Sequence, residues 1–427
     1  MTATTSTVPR ATMPPATAAR LALIGFVVLN LVLIEVLFFT FGTGKNEILT
    51  VAKFFGLHAG LIMMVQLVLI ARLPWLDRRL GMDRLTSWHR WIGFTLWWTV
   101  LTHATIVVLG YAALDGVSAG RTFLALAAVP ASLLGMLAAT IITTIAVVSF
   151  RPIRRRLSYE TWHAIHFLLY LAIGVGVTHQ ALEGTTFPGS LPARVYWWTL
   201  WALVIIALIV GRIVLPLRRN AYHQLRVSAV VPESDNVTSV YMTGRNLDQL
   251  PARAGQFMIW RFPGHNPWWQ ANPFSLSAAP DGRGLRLTAK AAGKTSAGLR
   301  NLRVGTRVFA EGPYGAFTSM HRTKPATLLI AGGVGVTPVR AMLEEGTGPT
   351  VVLYRVRDRS EAVLLNELEE LSRSRGAHLH LLTGRTKDGN PFDPQNLRAL
   401  VPDILEREVF VCGPPPMVEA AMVVLTR

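Results

Sequence analysis

The stretch that decides the fold is SWHRWIGFTLWWTVLTH, Ser87–His103, an apolar run with His89 near its start and His103 at its end. A second run, HFLLYLAIGVGVTH from His166 to His179, repeats the arrangement. Hydrocarbon offers an ionisable side chain no water, so histidines inside such runs are read first as functional. The two members of a pair are fourteen residues apart in the first run and thirteen in the second. At about 1.5 Å of rise per residue, either step lifts the second histidine by roughly 20 Å. Two pairs at two levels predict two six-coordinate haems stacked across a membrane.

Composition agrees with this reading. Of 427 residues, 51% are hydrophobic and only 16% charged, which excludes an ordinary soluble protein. The apolar runs lie near 20–41, 50–71, 87–112, 122–149, 160–181 and 195–216. Each is long enough for a hydrocarbon core of about 30 Å, which takes roughly 20 residues. The net charge of +17 follows the membrane topology and does not call for nucleic acid. Arg72, Arg78, Arg79 and Arg84 fall between spans two and three, Arg151, Arg154, Arg155 and Arg156 between four and five, and Arg212, Arg218 and Arg219 at the end of span six. The alternate loops carry only Lys45, Arg121 and Arg194. The positive-inside rule therefore puts both termini in the cytoplasm of a multi-pass cell-membrane protein. Residues 1–19, rich in Thr, Pro and Ala, read as a disordered cytoplasmic tail. A single cysteine, Cys412, supplies neither a disulfide framework nor an iron–sulfur cluster.

An intramembrane histidine is often a packing residue, and His58 is read that way. The other four differ because spans three and five run in the same direction. His89 and His166 then share the cytoplasmic level, and His103 and His179 the outer one. Ideal helices support this only in part, since 14 residues leave two side chains about 40° apart and 13 leave them about 140° apart. The second pair needs an irregularity, for which Gly174 and Gly176 are the candidates. His163 competes with His166 and is placed second. Haems held by two imidazoles have no open iron position and suit electron transfer rather than direct oxygen binding. Phe94, Trp97 and Trp98 lie between the levels, either as packing or as a relay.

After residue 217 the pattern changes. Short alternating stretches such as LRVSAVV and SVYMTG, bounded by Gly, Pro, Asn and Asp, predict a β-rich unit of about 100 residues. Beyond it, apolar strands alternate with helical segments, the signature of a parallel sheet with crossovers. LLIAGGVGVTPVRAML places Gly332, Gly333 and Gly335 in a strand-to-helix turn whose helix N-terminus suits a pyrophosphate. VCGPPPM puts Cys412, Gly413, Pro414 and Pro415 at the carboxyl edge of the same sheet. In the β-rich unit, NPFSLS supplies Asn272, Pro273, Phe274, Ser275, Leu276 and Ser277, and AKAAGKTS supplies Lys290, Gly293, Thr295 and Ser296. Read alone, such a strand is equally core and surface alternation. Read together, these groups suit a flavin ring stacked on Phe274 with its diphosphate held by a cation, hydroxyls and a glycine turn.

From about residue 20 to 425 these stretches resemble the ferric reductase and NADPH oxidase superfamily. The resemblance implies a six-helix membrane bundle over 20–217, an antiparallel β-barrel FAD domain over 222–321, and an α/β nucleotide-binding domain over 325–427. It implies two b-type haems ligated by His89 with His166 and by His103 with His179, for which the fourteen and thirteen spacing is itself characteristic. The family's flavin motif, usually His-Pro-Phe then Ser or Thr, reads Asn272-Pro273-Phe274-Ser275, a departure that puts an uncharged amide, able to hydrogen-bond but not to titrate, where the usual histidine stands. Lys290, Gly293 and Ser296 match its second FAD segment. Gly332, Gly333, Gly335, Thr337 and Pro338, with Cys412, Gly413, Pro414 and Pro415, match its nicotinamide signature. The chain stops ten residues after Met417, where relatives commonly add a strand and a flavin-shielding aromatic, so a C-terminal truncation is expected to affect coenzyme access.

The function expected is transmembrane electron transfer from cytoplasmic NAD(P)H through FAD and the two haems to an external acceptor. No protein nucleophile or general base is required. Arg355, Arg357 and Arg359 favour the 2′-phosphate of NADPH, although Asp358 keeps NADH open. Fe(III) chelate is the favoured small-molecule acceptor. Superoxide formation from O2, or donation to a partner protein or quinone, are the alternatives. The bilayer is the expected surrounding, and the sequence is silent on oligomeric state.

Overall fold

Several of the long helices begin where the chain supplies a proline or a capping side chain. In the computed structural model, which describes residues 15–42, 44–183, 187, 189–265, 270, 272–384 and 392–425, α1 (Pro15–Phe41) opens on a proline, whose missing N–H would be unpaired in a first turn anyway. That start lies within the segment expected as a tail, of which residues 1–14 are outside the described residues. Asn46 caps α2 (Glu47–Ile70), accepting from the Leu49 N–H at 2.7 Å. After the short α3 (Pro74–Leu80), α4 (Met82–Asp115) carries both histidines of the quoted stretch. Helices α5 (Ala119–Ala127), α6 (Pro130–Ser149), α7 (Arg151–Arg154), α8 (Tyr159–His166), α9 (Leu168–Glu183), α10 (Leu191–Ile209) and α11 (Leu215–His223) follow.

Among the described residues, six helical segments are long and apolar enough to cross a membrane: Thr17–Phe41, Glu47–Ile70, Arg84–Asp115, Pro130–Ser149, Thr161–Glu183 and Leu191–His223. Two details depart from expectation. The fourth run does not start at 122, because Pro130 forces Val129 out of helical geometry (ψ 118°) and splits it into α5 and α6. The irregularity in the fifth span lies at Phe167, not at Gly174 or Gly176, which sit inside α9. There the Tyr170 N–H reaches the Phe167 carbonyl at 3.0 Å, a 3₁₀-type bond. Each residue in such a turn rotates roughly 20° further than in an α-helix, which narrows the angle between His166 and His179. The last span widens to a π-turn over Val210–Val214, just before Pro216, which has no N–H to give the Arg212 carbonyl.

The chain divides into a helical unit, 17–76 and 83–213, and a second unit, 77–82 and 214–427. In the helical unit α6 packs along α9 and α2 along α10. Trp197 and Trp201, one turn apart on α10, are fully buried with Met64 and Ile34. Gly60 leaves room for the first of them, since a Cβ there would lie 2.8 Å from Trp197 Cζ2.

The second unit begins with β1 (Arg226–Ser234), β2 (Val237–Thr243), β3 (Phe257–Arg261), β4 (Asn272–Ser275), β5 (Gly284–Lys290), α12 (Lys294–Gly298) and β6 (Phe309–Tyr314). They form two three-stranded antiparallel sheets, β1-β2-β5 and β4-β3-β6, and not the closed barrel expected. The reason lies at the two seams, each spanned by one isolated bridge, Leu276 with Leu287 and Arg226 with Arg307. Strand β4 is only four residues long and contains Pro273, which gives no N–H to a neighbour and so makes it an edge. Trp260, Phe262, Leu276 and Leu287 fill the core between the sheets.

A parallel sheet of order β10-β7-β8-β9 follows, from β7 (Ala326–Gly332), β8 (Thr350–Arg355), β9 (His378–Leu382) and β10 (Arg407–Cys412), with α13 (Val336–Glu345), α14 (Leu365–Arg375), α15 (Pro394–Leu400) and α16 (Pro415–Leu425). Every residue of β7 is buried, as a strand covered on both faces requires. The chain leaves β7 towards β8 on one side and returns as β10 on the other. That reversal opens a crevice at the carboxyl ends of β7 and β10.

Candidate functional site

In the helical unit the imidazoles of His89 on α4 and His166 on α8 lie with ring centroids 6.2 Å apart and planes at 74°. His166, rather than His163, stands opposite His89. His166 also stacks on Trp162 at 4.9 Å, while His163 turns to Phe167 at 4.5 Å. If both imidazoles held one metal, a bond of about 2 Å plus roughly 1 Å from nitrogen to ring centre on each side would put the ring centres about 6 Å apart. The spacing therefore fits an iron between these rings. Neither buried Nδ1 has a hydrogen-bond partner. Gln66 Nε2 donates to the His89 carbonyl at 2.8 Å, fixing that turn of α4 against α2.

His103 and His179 are held differently. His103 Nδ1 is 2.8 Å from the Ala52 carbonyl on α2, and His179 Nδ1 is 2.7 Å from the Ala131 carbonyl on α6. Only a protonated Nδ1 can make that bond, so Nε2 of each ring carries the lone pair a metal needs. Four residues after each carbonyl comes a glycine that admits the ring. A Cβ at Gly56 would lie 2.7 Å from His103 Cε1, and one at Gly135 would lie 2.9 Å from His179 Cε1. Ala52 with Gly56 and Ala131 with Gly135 escaped the sequence reading; small residues spaced by four in a membrane helix were the available signal. His58 pairs with Glu35 at 3.0 Å and with the Phe54 carbonyl at 2.8 Å. Trp97 donates to Thr143 at 3.2 Å, whereas Trp98 is exposed.

In the second unit, β4 brings Asn272 to Ser275 to the edge of its sheet. Asn272 is buried and donates to the Trp260 carbonyl at 3.3 Å, and Phe274 is half-buried against the core. Leu276 and Ser277 are fully buried, and the Ser277 hydroxyl accepts from Thr288 at 2.8 Å and from Arg286 Nε at 3.1 Å. Lys290 is exposed where β5 ends. Beyond it, Ser296 Oγ accepts from the N–H groups of Ala292 and Gly293 at 2.9 and 3.0 Å, and Thr295 bonds Gln270 at 2.9 Å.

Gly332 ends β7, and the turn Gly333–Gly335 leads into α13, where Thr337 and Pro338 are buried. The two glycine loops lie against each other: a Cβ at Gly335 would overlap the Cys412 carbonyl, and one at Gly332 the Met417 sulfur. Gly333 has φ +52° with open space around it. Pro414 and Pro415 are exposed at the rim. Arg355 donates to the Thr383 carbonyl at 2.8 Å, Arg359 pairs with Glu369 at 3.3 Å, and Arg357 is exposed. Asp358 is held below the usual carboxylate range by the hydroxyl and N–H of Ser360.

Three family models match in chain order: a ferric reductase like transmembrane component at residues 55–177, an FAD-binding domain at 222–318 and an oxidoreductase NAD-binding domain at 329–422. One chain therefore joins a ferric reductase like transmembrane component to an FAD-binding and an oxidoreductase NAD-binding domain. Its order of domains is the architecture of the ferric reductase and NADPH oxidase superfamily. Among curated relatives, the ferredoxin reductase component of 3-ketosteroid-9-alpha-monooxygenase from Mycolicibacterium smegmatis is 34% identical over 215 residues, 46% of this chain and 60% of that one. The stachydrine N-demethylase reductase subunit Stc4 of Rhizobium meliloti is 30% identical over 207 residues, 44% of this chain and 58% of that one. The chain thus spans about three fifths of the length of these relatives. A solved FAD/NAD-binding domain of nitric oxide dioxygenase from Vibrio cholerae aligns with a TM-score of 0.40 at 24% identity, covering 48% of this chain and 93% of that one.

Proposed function

We propose that the chain carries electrons from cytoplasmic NAD(P)H through FAD to two b-type haems, and from there to an Fe(III) chelate outside the cell membrane. His89 with His166 ligate the inner haem, and His103 with His179 the outer one. The observation that carries this reading is the pair of imidazoles 6.2 Å apart in the helical unit, the separation an intervening iron needs. The Nδ1 bonds of His103 and His179 support the second level, because they leave both Nε2 atoms as donors to a metal. When bound, FAD takes the two electrons of a hydride from NAD(P)H and haem iron takes electrons singly.

The residues of the second unit bind and orient. Phe274 offers a face for a flavin ring, with Asn272, Pro273, Ser275, Leu276 and Ser277 forming the strand beneath it. Lys290, Gly293, Thr295 and Ser296 are assigned to the FAD diphosphate. Gly332, Gly333, Gly335, Thr337 and Pro338, facing Cys412, Gly413, Pro414 and Pro415 across the crevice, receive the coenzyme. Arg355, Arg357 and Arg359 favour NADPH through its 2′-phosphate. Equal catalytic efficiency with NADH would remove that preference.

Reduced-minus-oxidised spectra of the purified protein test the core of the reading. Low-spin b-haem bands at about two haems per flavin are expected. Protein without Soret absorbance after growth with ample porphyrin would refute it. The acceptor is tested separately: NADPH consumption should rise with a ferric chelate, whereas superoxide formation matching all NADPH consumed would assign O2 instead. A second reading, donation to a partner protein, is favoured by the names of the relatives, a ferredoxin reductase component of a monooxygenase and a reductase subunit of a demethylase. It predicts turnover that depends on the added partner.

A further inference from the structure

Within the second unit, helix α13 starts at the coenzyme turn, and its far half bonds the chain just after the flavin strand β4. Arg340 donates to the Ser277 carbonyl at 3.3 Å and to Glu367 Oε2 at 2.7 Å, and it also pairs with Glu344. Glu344 in turn accepts the Ala279 N–H at 2.6 Å. Glu345 takes the Ala254 N–H at 2.9 Å and the Ser319 hydroxyl at 3.1 Å. From the other lobe, Arg286 on β5 reaches the same Ser277 carbonyl at 2.7 Å, the Tyr241 hydroxyl at 3.1 Å and Glu367 Oε1 at 2.9 Å. Glu367, on α14, thus holds one guanidinium from each lobe, one on each carboxylate oxygen. Both guanidiniums meet on a carbonyl two residues past the end of β4.

Arg286 and Arg340 are buried, 4% and 8% exposed. Apolar packing would join two lobes at least as tightly as buried charges, whose desolvation offsets much of their attraction. What a network of fixed forks adds is a defined distance and angle. The groups it fixes are the strand assigned to the flavin and the helix that opens on the coenzyme turn.

We propose that Glu367, acting through Arg286 and Arg340, is a positioning residue that sets the gap between flavin ring and nicotinamide. The inference rests on the proposed FAD and coenzyme sites. Hydride transfer depends steeply on that gap: a misplacement of about 1 Å costs roughly 100-fold in rate.

The test uses the full-length protein in detergent, saturated with FAD. NADPH is mixed with it anaerobically while flavin bleaching and the long-wavelength charge-transfer band of stacked nicotinamide and flavin are recorded. Glu367→Gln keeps the size of the side chain and removes its charge. It is expected to slow flavin reduction at saturating NADPH by about 10- to 100-fold and to weaken the charge-transfer band, with the half-saturating NADPH concentration within about twofold and FAD content unchanged. Arg340→Lys, which keeps the charge and loses the fork, is expected to fall between the two. A wild-type rate and band in Glu367→Gln, whatever its thermal stability, would overturn the proposal. If that variant does not accumulate, the same result in Arg340→Lys overturns it equally. Wild-type protein that retains no FAD would instead refute the cofactor sites themselves.

Discussion

Replacing Gly56 by alanine places a methyl group 2.7 Å from His103 Cε1 and 2.9 Å from its Nδ1. Carbon atoms in contact sit about 3.5–4.0 Å apart, so the ring must retreat by about 1 Å. Its bond to the Ala52 carbonyl, 2.8 Å long, is then stretched beyond hydrogen-bonding range. Losing that bond costs about 1 kcal/mol, and overpacking adds about 1–3 kcal/mol. A total of about 2–4 kcal/mol corresponds to roughly 30- to 1000-fold weaker retention of a metal at this level alone. Alanine also favours the helix by about 1 kcal/mol, so global stability is a poor readout and cofactor content a good one. The assay is haem per FAD, from pyridine haemochromogen spectra and released flavin. About one haem per FAD is expected in Gly56→Ala against about two in the parent, with Gly135→Ala behaving the same way. Gly174→Ala, with nothing within 4 Å of its new methyl, is the control. Two haems per FAD and unaltered bands in Gly56→Ala would show that His103 does not hold a haem with its ring anchored on the Ala52 carbonyl.

Substituting His166 by alanine should halve haem content, while His163→Ala should leave it near the parent value, as read from the same spectra. Gly335→Ala drives a methyl into the Cys412 carbonyl. It should raise the NAD(P)H concentration needed for half-maximal flavin reduction by about tenfold or more while leaving FAD content unchanged, consistent with about 1–3 kcal/mol of overpacking. Burial pushes the Glu367 carboxyl up, but hydrogen bonds and charge from Arg286 and Arg340 outweigh it and hold the group below its ordinary value. A carboxyl depressed by folding stabilises at pH above its unfolded value, and the contribution is lost as pH falls through the folded one. Thermal melts of the parent and Glu367→Gln should therefore differ at neutral pH and converge as pH drops below the ordinary glutamate range.

The membrane spans were legible because hydrocarbon imposes length and apolarity on any helix that crosses it, and the charges between runs stand out by contrast. The parallel sheet was legible from strand–helix alternation and from Gly332, Gly333 and Gly335. What escaped the sequence depends on contacts between residues distant along the chain. Ala52 and Ala131 act through backbone carbonyls, which no side chain advertises. The break at Phe167 occurs beside no proline or glycine, so local propensity pointed instead to Gly174 and Gly176. Closure of the β-rich lobe was a matter of pairing at two seams, and alternation within a strand does not say whether its edge is paired. Ser277 reads as a flavin-facing hydroxyl by position, yet its full burial against Thr288 and Arg286 gives it a second duty, at the junction of the lobes.

The carbonyl bonds of His103 and His179 have a mechanical corollary. With iron between the two Nε2 atoms, an unbroken line of bonds would run from α2 through the imidazole of α4, across the metal, through the imidazole of α9 and into α6. Four helices would be strung on one crossbeam. Cofactor supply would then govern how firmly this bundle holds together in the bilayer, and iron-starved cells would be expected to clear the apoprotein faster than its haem-loaded form.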